Sequence, residues 1–180
     1  VIKRPRVLVI CTGDELINEK KNQSLVVSTN NIFIKHFVEL FGGEIVNIHF
    51  SKDNQTEFKK IFKSSKNFDL LITSGGISRG KYDIVKESLK EFGLKILFDR
   101  VAIKPGKPTT FGKLGKNKFF LGLPGNPVSC FMSLTNFLPI YINSYYGKKI
   151  INLKFIEFQS KSFIEKNQNL TLFMMMKSHC

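Results

Sequence analysis

Short continuous apolar runs alternate along this chain with segments whose apolar residues recur every three to four positions. RVLVIC (6–11), EIVNIHF (44–50), NFDLLITS (67–74) and LKILFDRVAI (94–103) are the runs. Their length and their polar or small flanks predict strands, and the unbroken ones predict strands buried on both faces. Between them, NNIFIKHFVELF (30–41) puts Phe33, Ile34, Phe37, Leu40 and Phe41 on one stripe. NQTEFKKIFKSS (54–65) does the same with Phe58, Ile61 and Phe62. Both predict amphipathic helices, the first ended by Gly42 and Gly43. A third helix is expected from Asp83, where Ile84, Val85, Ser88 and Leu89 keep helical spacing.

TTFGKLGKNKFFLGL (109–123) reads as a hairpin turning around Gly115 to Asn117. PGNPVSCFMSLTNFLPIYINSYYG (124–147) reads as a long helix with Asn126 as N-cap and Pro127 as its first residue. Pro139 is expected to kink that helix or split it in two. Strands alternating with helices imply right-handed crossovers and a mostly parallel sheet. The expected fold is therefore a three-layer α/β/α domain over residues 1–147. Residues 148–180 alternate weakly without Pro or Gly and read as the opening strands of a small second β domain that the chain does not complete. Opening at Val1 without methionine, the chain reads as a piece of something longer.

Composition narrows the partners. The 180 residues are 42% hydrophobic with 18 Phe, enough for a real core and too apolar for a disordered chain. The net charge is +14, from 28 Lys and Arg against 14 Asp and Glu. The lysines are scattered over every segment, whereas a nucleic-acid surface needs a patch or stripe. An anionic small-molecule substrate explains the excess better, and no nucleic-acid partner is expected. Cys11, Cys130 and Cys180 have no metal-ligand spacing, and the first two fall on apolar faces as small hydrophobes. No apolar run reaches membrane length and no leader pattern opens the chain, so a cytoplasmic location is expected.

Four loops fall where strands end or helices begin: TGDEL (12–16), SGGISRGKYD (74–83), RVAIKPGKP (100–108) and GLPGNPVS (122–129). In a parallel sheet, loops after strand ends converge on one rim, where such folds bind ligands. Glycines there let backbone N–H groups approach a phosphate or another anion. Each loop alone has a plainer explanation. SGG is also an ordinary turn, Asp14 and Glu15 are also caps or surface acids, Lys104 and Lys107 are also exposed turn residues, and Asn126 also merely caps. Their recurrence at one kind of topological position is harder to explain that way. Carboxylates beside phosphates make chemical sense if a hard cation such as Mg²⁺ bridges them.

TGDEL, TSGGISRGKYD, AIKPGKPTTFGKL and GLPGNPVS, in this order and spacing, resemble the molybdopterin molybdenumtransferase family, the bacterial MoeA type to which the C-terminal portion of gephyrin is similar. The resemblance covers about residues 5–147 and matches the family's central molybdopterin-binding domain. It implies insertion of molybdate into adenylylated molybdopterin with release of AMP, assisted by Mg²⁺. Related molybdopterin adenylyltransferases share the strand–GG loop but lack the KPGKP and GLPGNP pair. That reaction is the alternative within enzymes, and a non-catalytic molybdopterin-binding domain is the alternative outside them.

Carried over position by position, the resemblance implies catalytic roles for Glu15, Asp83, Arg100 and Lys104. It implies substrate contacts from Thr12, Gly13, Asp14, Asn30, Ser74, Gly75, Gly76, Ser78, Lys107, Pro124, Asn126 and Pro127. Asp53 and Asp83 match its metal-binding acids, with Asn54 where a second acid is usual. Ser28 stands where the family usually has Asp, and Arg79 and Lys81 make the glycine loop more basic than usual. Full-length members form homodimers, and the adenylyltransferase is an expected partner. Their N-terminal domains help close the cleft, so this chain alone is expected to fold, bind weakly and insert molybdenum poorly.

Overall fold

The computed structural model describes residues 3–13, 29–76, 83–148 and 169–173. Strands β1 (Arg6–Thr12), β2 (Glu44–Ser51) and β3 (Leu70–Ser74) alternate with helices α1 (Asn30–Leu40), α2 (Gln55–Ser64) and α3 (Ile84–Lys90). Strands β4 (Leu94–Asp99), β5 (Ile103–Lys104), β6 (Thr110–Leu114) and β7 (Lys118–Leu123) follow. Helix α4 (Pro127–Tyr145) and the two-residue strand β8 (Thr171–Leu172) complete the described elements.

Six strands form one sheet in the order β2-β1-β3-β7-β6-β4. β2, β1, β3 and β7 are mutually parallel, and β6 is antiparallel to both of its neighbours. The 109–123 hairpin is thus built into the main sheet, which leaves β4 pointing the same way as the parallel strands. β1 and β3 sit centrally and bury nearly every residue, which is why their sequences are unbroken apolar runs.

Alternate residues of these strands feed two cores. Val7, Val9, Cys11, Leu70, Ile72, Leu121 and Leu123 pack with Ile34 and Val38 of α1 and with Leu134 and Leu138 of α4. Leu8, Ile10, Leu71 and Phe120 face the other way, onto Phe58 and Phe62 of α2 and Val85 and Leu89 of α3. Helices therefore cover both faces, and the expected α/β/α layering with a mostly parallel sheet is the observed one.

The caps follow from side-chain chemistry. Asn54 Oδ1 accepts from the N–H groups of Thr56 and Glu57 at 2.8 and 3.2 Å, and Asn126 Oδ1 from Ser129 at 3.1 Å. Asn126 and Pro127 take the expected N-cap and first-turn places. Pro139 does not split α4, which runs as one element to Tyr145. At the strand-entry end, Arg6 donates to Asp69 through its backbone N–H, Nε and Nη2 at 2.8–3.1 Å. Burial would raise the Asp69 pKa, but these hydrogen bonds outweigh it and hold the carboxyl below its usual range. Of the 148–180 segment only residue 148 and residues 169–173 lie within the described residues, and in the latter the two-residue strand Thr171–Leu172 forms.

Candidate functional site

Strands that point one way end on one rim. Cys11 pairs with Ser74 and Ser74 with Leu123, while Gly122 pairs with Thr110 and Thr110 with Asp99. The rim therefore carries Thr12 at the end of β1 and Gly13 after it, Gly75 and Gly76 after β3, Pro124 to Asn126 after β7, and Arg100 after β4.

Its centre is neutral and tightly built. Asn30 opens α1, is buried, and its Nδ2 donates to Ser74 Oγ at 2.6 Å and to the Gly125 carbonyl at 2.8 Å. One amide thus ties the start of α1 to the ends of β3 and β7. The Gly75 N–H donates to Leu123 O at 3.1 Å and the Gly13 N–H to Ser51 O at 3.2 Å. Gly75 (φ +87°) and Gly76 (φ +63°) take conformations that side chains resist, and a Cβ on Gly75 would press into the Thr12 carbonyl. A Cβ on Gly76 would lie 2.6 Å from Thr12 Oγ1 and 2.7 Å from Val85 Cγ2. Asn30 Oδ1 and Thr12 Oγ1 are buried and meet no hydrogen-bond partner among the described residues. Both are polar atoms of the kind that a bound polar group satisfies.

Beneath this centre, Cys130 is fully buried, and burial pushes its thiol up to about 12 despite a hydrogen bond with Ser74. Such a thiol stays protonated and is no nucleophile.

The flank after β4 is basic and exposed. Arg100 adopts φ +64°, uncommon for a residue with a side chain, and its N–H donates to Thr109 O at 3.0 Å. The loop is further closed by Val101 N–H to Lys107 O at 2.9 Å and Thr109 N–H to Gly106 O at 3.1 Å. Thr109 Oγ1 joins Gly106 O and Ser133 Oγ of α4, each at 2.6 Å. The Lys104–Pro105 bond is cis. Arg100, Lys104 and Lys107 all face solvent from this rigid frame. An open cleft of about 410 Å³ is lined by Arg100, Val101, Ala102 and Lys107 from the loop and by Asn169 and Leu170.

Between centre and flank stands an acid–base–acid bridge. Asp83 caps α3 through Oδ1, accepting the Lys86 N–H at 3.1 Å, while its Oδ2 meets Lys86 Nζ at 2.6 Å. The same ammonium reaches both Asp99 oxygens at 3.0 Å, and Thr110 Oγ1 donates to Asp99 at 2.6 Å. Burial would raise the Asp99 pKa, but the bonds from Thr110 and Lys86 outweigh it and lower it.

The model for the "probable molybdopterin binding domain" matches residues 8–143. The chain belongs to this family. Within the molybdopterin-binding family, it is 39% identical over 147 residues to the molybdopterin molybdenumtransferase of Haemophilus influenzae, covering 80% of this chain and 36% of that protein. A molybdopterin biosynthesis MoeA protein from Pyrococcus horikosii has a TM-score of 0.63 at 28% identity, over 79% of this chain and 34% of that one. A molybdenum cofactor biosynthesis protein B shares the fold with a TM-score of 0.62 at 13% identity, over 81% of this chain and 95% of that one. The chain thus spans about a third of the length of its transferase relatives.

The molybdopterin-binding fold brings most of the expected residues together. Thr12, Gly13, Asn30, Ser74, Gly75, Gly76, Pro124 and Asn126 share the neutral centre, with Pro127 opening α4 beside them. Arg100, Lys104 and Lys107 share the basic loop, and Asp83 stands between the two groups. Asp14, Glu15 and Ser78 lie outside the described residues. Asp53 follows β2 at one sheet edge, whereas Asp83 is tied through Lys86 to Asp99 on the opposite edge strand.

Both Asp83 oxygens are engaged by Lys86, and no three potential ligand side chains meet among the described residues. As described, Asp53 and Asp83 do not assemble a donor set that fits Mg²⁺. Lys86, Asp99 and Thr110 were missed from sequence. The only hint was an acid directly before Arg100 and a lysine one turn after Asp83.

Proposed function

We propose that the chain serves molybdenum cofactor biosynthesis as the molybdopterin-binding domain of a molybdenum-inserting transferase, which joins molybdate to adenylylated molybdopterin and releases AMP. The observation that carries this reading is the convergence of four separate loops on one rim, the neutral centre locked by Asn30 and the basic loop 100–109 standing beside it. The names and sequence likeness of the transferase relatives support the same assignment.

In this reading the two parts of the rim divide the work. The centre shapes a floor where backbone approaches the ligand closely, because Gly75 and Gly76 present no side chain. Asn30 Oδ1 and Thr12 Oγ1 offer buried polar atoms to the ligand. Arg100, Lys104 and Lys107 hold the anionic phosphate and molybdate oxygens as positioned charges, Arg100 through its planar fork and the lysines as point charges. A rigid frame around these cations means that little reorganisation is needed when the anion arrives. Mg²⁺ belongs to the proposal as an assisting cation, but the described residues do not assemble its site. The full reaction, a homodimer and an adenylyltransferase partner are likewise part of the proposal, since the matched region covers only 36% of the Haemophilus relative's length.

The test supplies molybdopterin, ATP, adenylylated molybdopterin and molybdate in combinations and follows AMP release and adenylylation. AMP release that requires molybdate and adenylylated molybdopterin, from this chain or from the longer protein containing it, supports the transferase reading. ATP-dependent adenylylation of molybdopterin overturns it in favour of the sister reaction, and tight binding with neither activity leaves a binding domain.

A further inference from the structure

The short strand β8 pairs in parallel with β5, the strand inside the basic loop, with Thr171 opposite Ile103 and Leu172 opposite Lys104. Two backbone bonds make the pairing: the Thr171 N–H donates to Ala102 O at 2.7 Å and the Phe173 N–H to Lys104 O at 2.8 Å. These carbonyls flank the backbone that carries Lys104. Of the loop's other ties, Arg100 to Thr109 and Val101 to Lys107 close it upon itself, and Thr109 Oγ1 to Ser133 Oγ fastens its far end to α4. Asn169 and Leu170, just before β8, form the far wall of the cleft whose near wall holds Arg100 and Lys107. An extended segment added to an open backbone edge fixes that edge by main-chain hydrogen bonds, whatever its side chains are.

We infer that residues 169–173 are a brace for the basic loop: Thr171 and Phe173 are positioning residues that hold Ala102 and Lys104 in place, and Asn169 and Leu170 complete the anion cleft. The inference rests on reading loop 100–109 as an anion-holding surface, as proposed above. The brace acts through N–H groups, so it is sensitive to proline and indifferent to side-chain truncation.

The test uses the full 180-residue chain with Thr171→Pro, Phe173→Pro and Thr171→Ala. Amide hydrogen exchange is read at Val101 and Ile103 and at β1 and β3, and inorganic pyrophosphate affinity is titrated at low salt. Both proline variants are expected to exchange at least about tenfold faster at Val101 and Ile103, with β1 and β3 unchanged, because local opening reports local bonds. Pyrophosphate affinity is expected to fall about three- to tenfold in them, as for loss of a neutral hydrogen bond or two. Thr171→Ala should match the unmodified chain in both readouts. Unchanged exchange at Val101 and Ile103 in both proline variants overturns the brace. So does an equal loss of protection in β1 and β3, which would make β8 a general stabiliser. If the unmodified chain fails to bind pyrophosphate, the anion-holding reading falls while exchange still decides the brace.

Discussion

Asn30, Ser74 and Gly75 share a rim with Arg100, Lys104 and Lys107, yet the two groups are held by different means. The first group is buried, and each member is fixed by a neighbour's atoms: Asn30 by Ser74 and Gly125, Gly75 by the Thr12 carbonyl beside it. The second group is exposed, and its side chains are free to meet a ligand because the backbone beneath them makes the bonds. In the centre, removing one atom group or adding one disturbs folding and binding together. On the flank, charge is removable with little cost to folding, so the two properties separate there.

The largest expected effect is at Gly75. Gly75→Ala adds a Cβ at positive φ against main-chain atoms that belong to β1 and cannot move aside. Backbone strain and overpacking together should cost on the order of 3 kcal/mol, read as a lowered midpoint in urea unfolding. A variant as stable as the unmodified chain would show that the centre is looser than described. Asn30→Ala comes next, at about 1–3 kcal/mol, because it strips partners from the buried Ser74 hydroxyl and the Gly125 carbonyl.

Lys104→Ala should behave oppositely, with unfolding unchanged within about 0.5 kcal/mol, as for exposed surface sites. Its affinity for anionic pterin should fall by about 1–3 kcal/mol, the range for a charge-assisted contact. Equal losses in stability and affinity would erase the distinction between the two groups. Arg100→Gly sharpens it further. Relieving φ +64° should stabilise the fold by up to about 1 kcal/mol while weakening anion binding, a change of sign between the two measurements.

The smallest effect concerns pH. The folded pKa values of Asp69 and Asp99 are lowered, so their contributions are present above the ordinary carboxylate range near 4 and are lost as pH falls through the folded values. Asp69→Asn and Asp99→Asn should each flatten the fall in stability below about pH 4, measured by urea unfolding at stepped pH. Asp99→Asn should also leave Lys86 paired with Asp83 alone, so of these two variants only this one should change anion affinity.

Local signals made most of the fold legible in sequence. Unbroken apolar runs marked β1 and β3, the Phe58–Ile61–Phe62 stripe marked α2, and the Asn126–Pro127 pair marked the start of α4. These rest on periodicity and capping, which act within a few residues. Pairing across the chain was less visible. Nothing in 109–123 says that β7 inserts beside β3, because that choice depends on Phe120 and Leu121 each filling a different core. Asp99 carries no local mark of its role, which exists only because the fold brings Lys86 and Thr110 to it. The segment 169–173 reads as part of an incomplete β domain, and no local signal announces that it pairs with Ile103 and Lys104. Pro139 is expected to kink the helix or split it in two, and it does not split it: α4 runs as one element to Tyr145, with Leu138, Tyr141 and Ile142 packed into the core.

The central claim is that one rim, half neutral and half basic, receives a molybdopterin-type anion. Backbone amide shifts recorded while molybdopterin is titrated anaerobically into the full chain test it most directly. The account predicts shifts concentrated at Gly13, Gly75, Gly76, Gly125 and residues 100–107, with the Arg6–Asp69 end of the sheet silent. Shifts concentrated instead on the aromatic groove of about 330 Å³ lined by Phe98, Phe111, Phe119, Phe137 and Tyr141, with the rim silent, would contradict it.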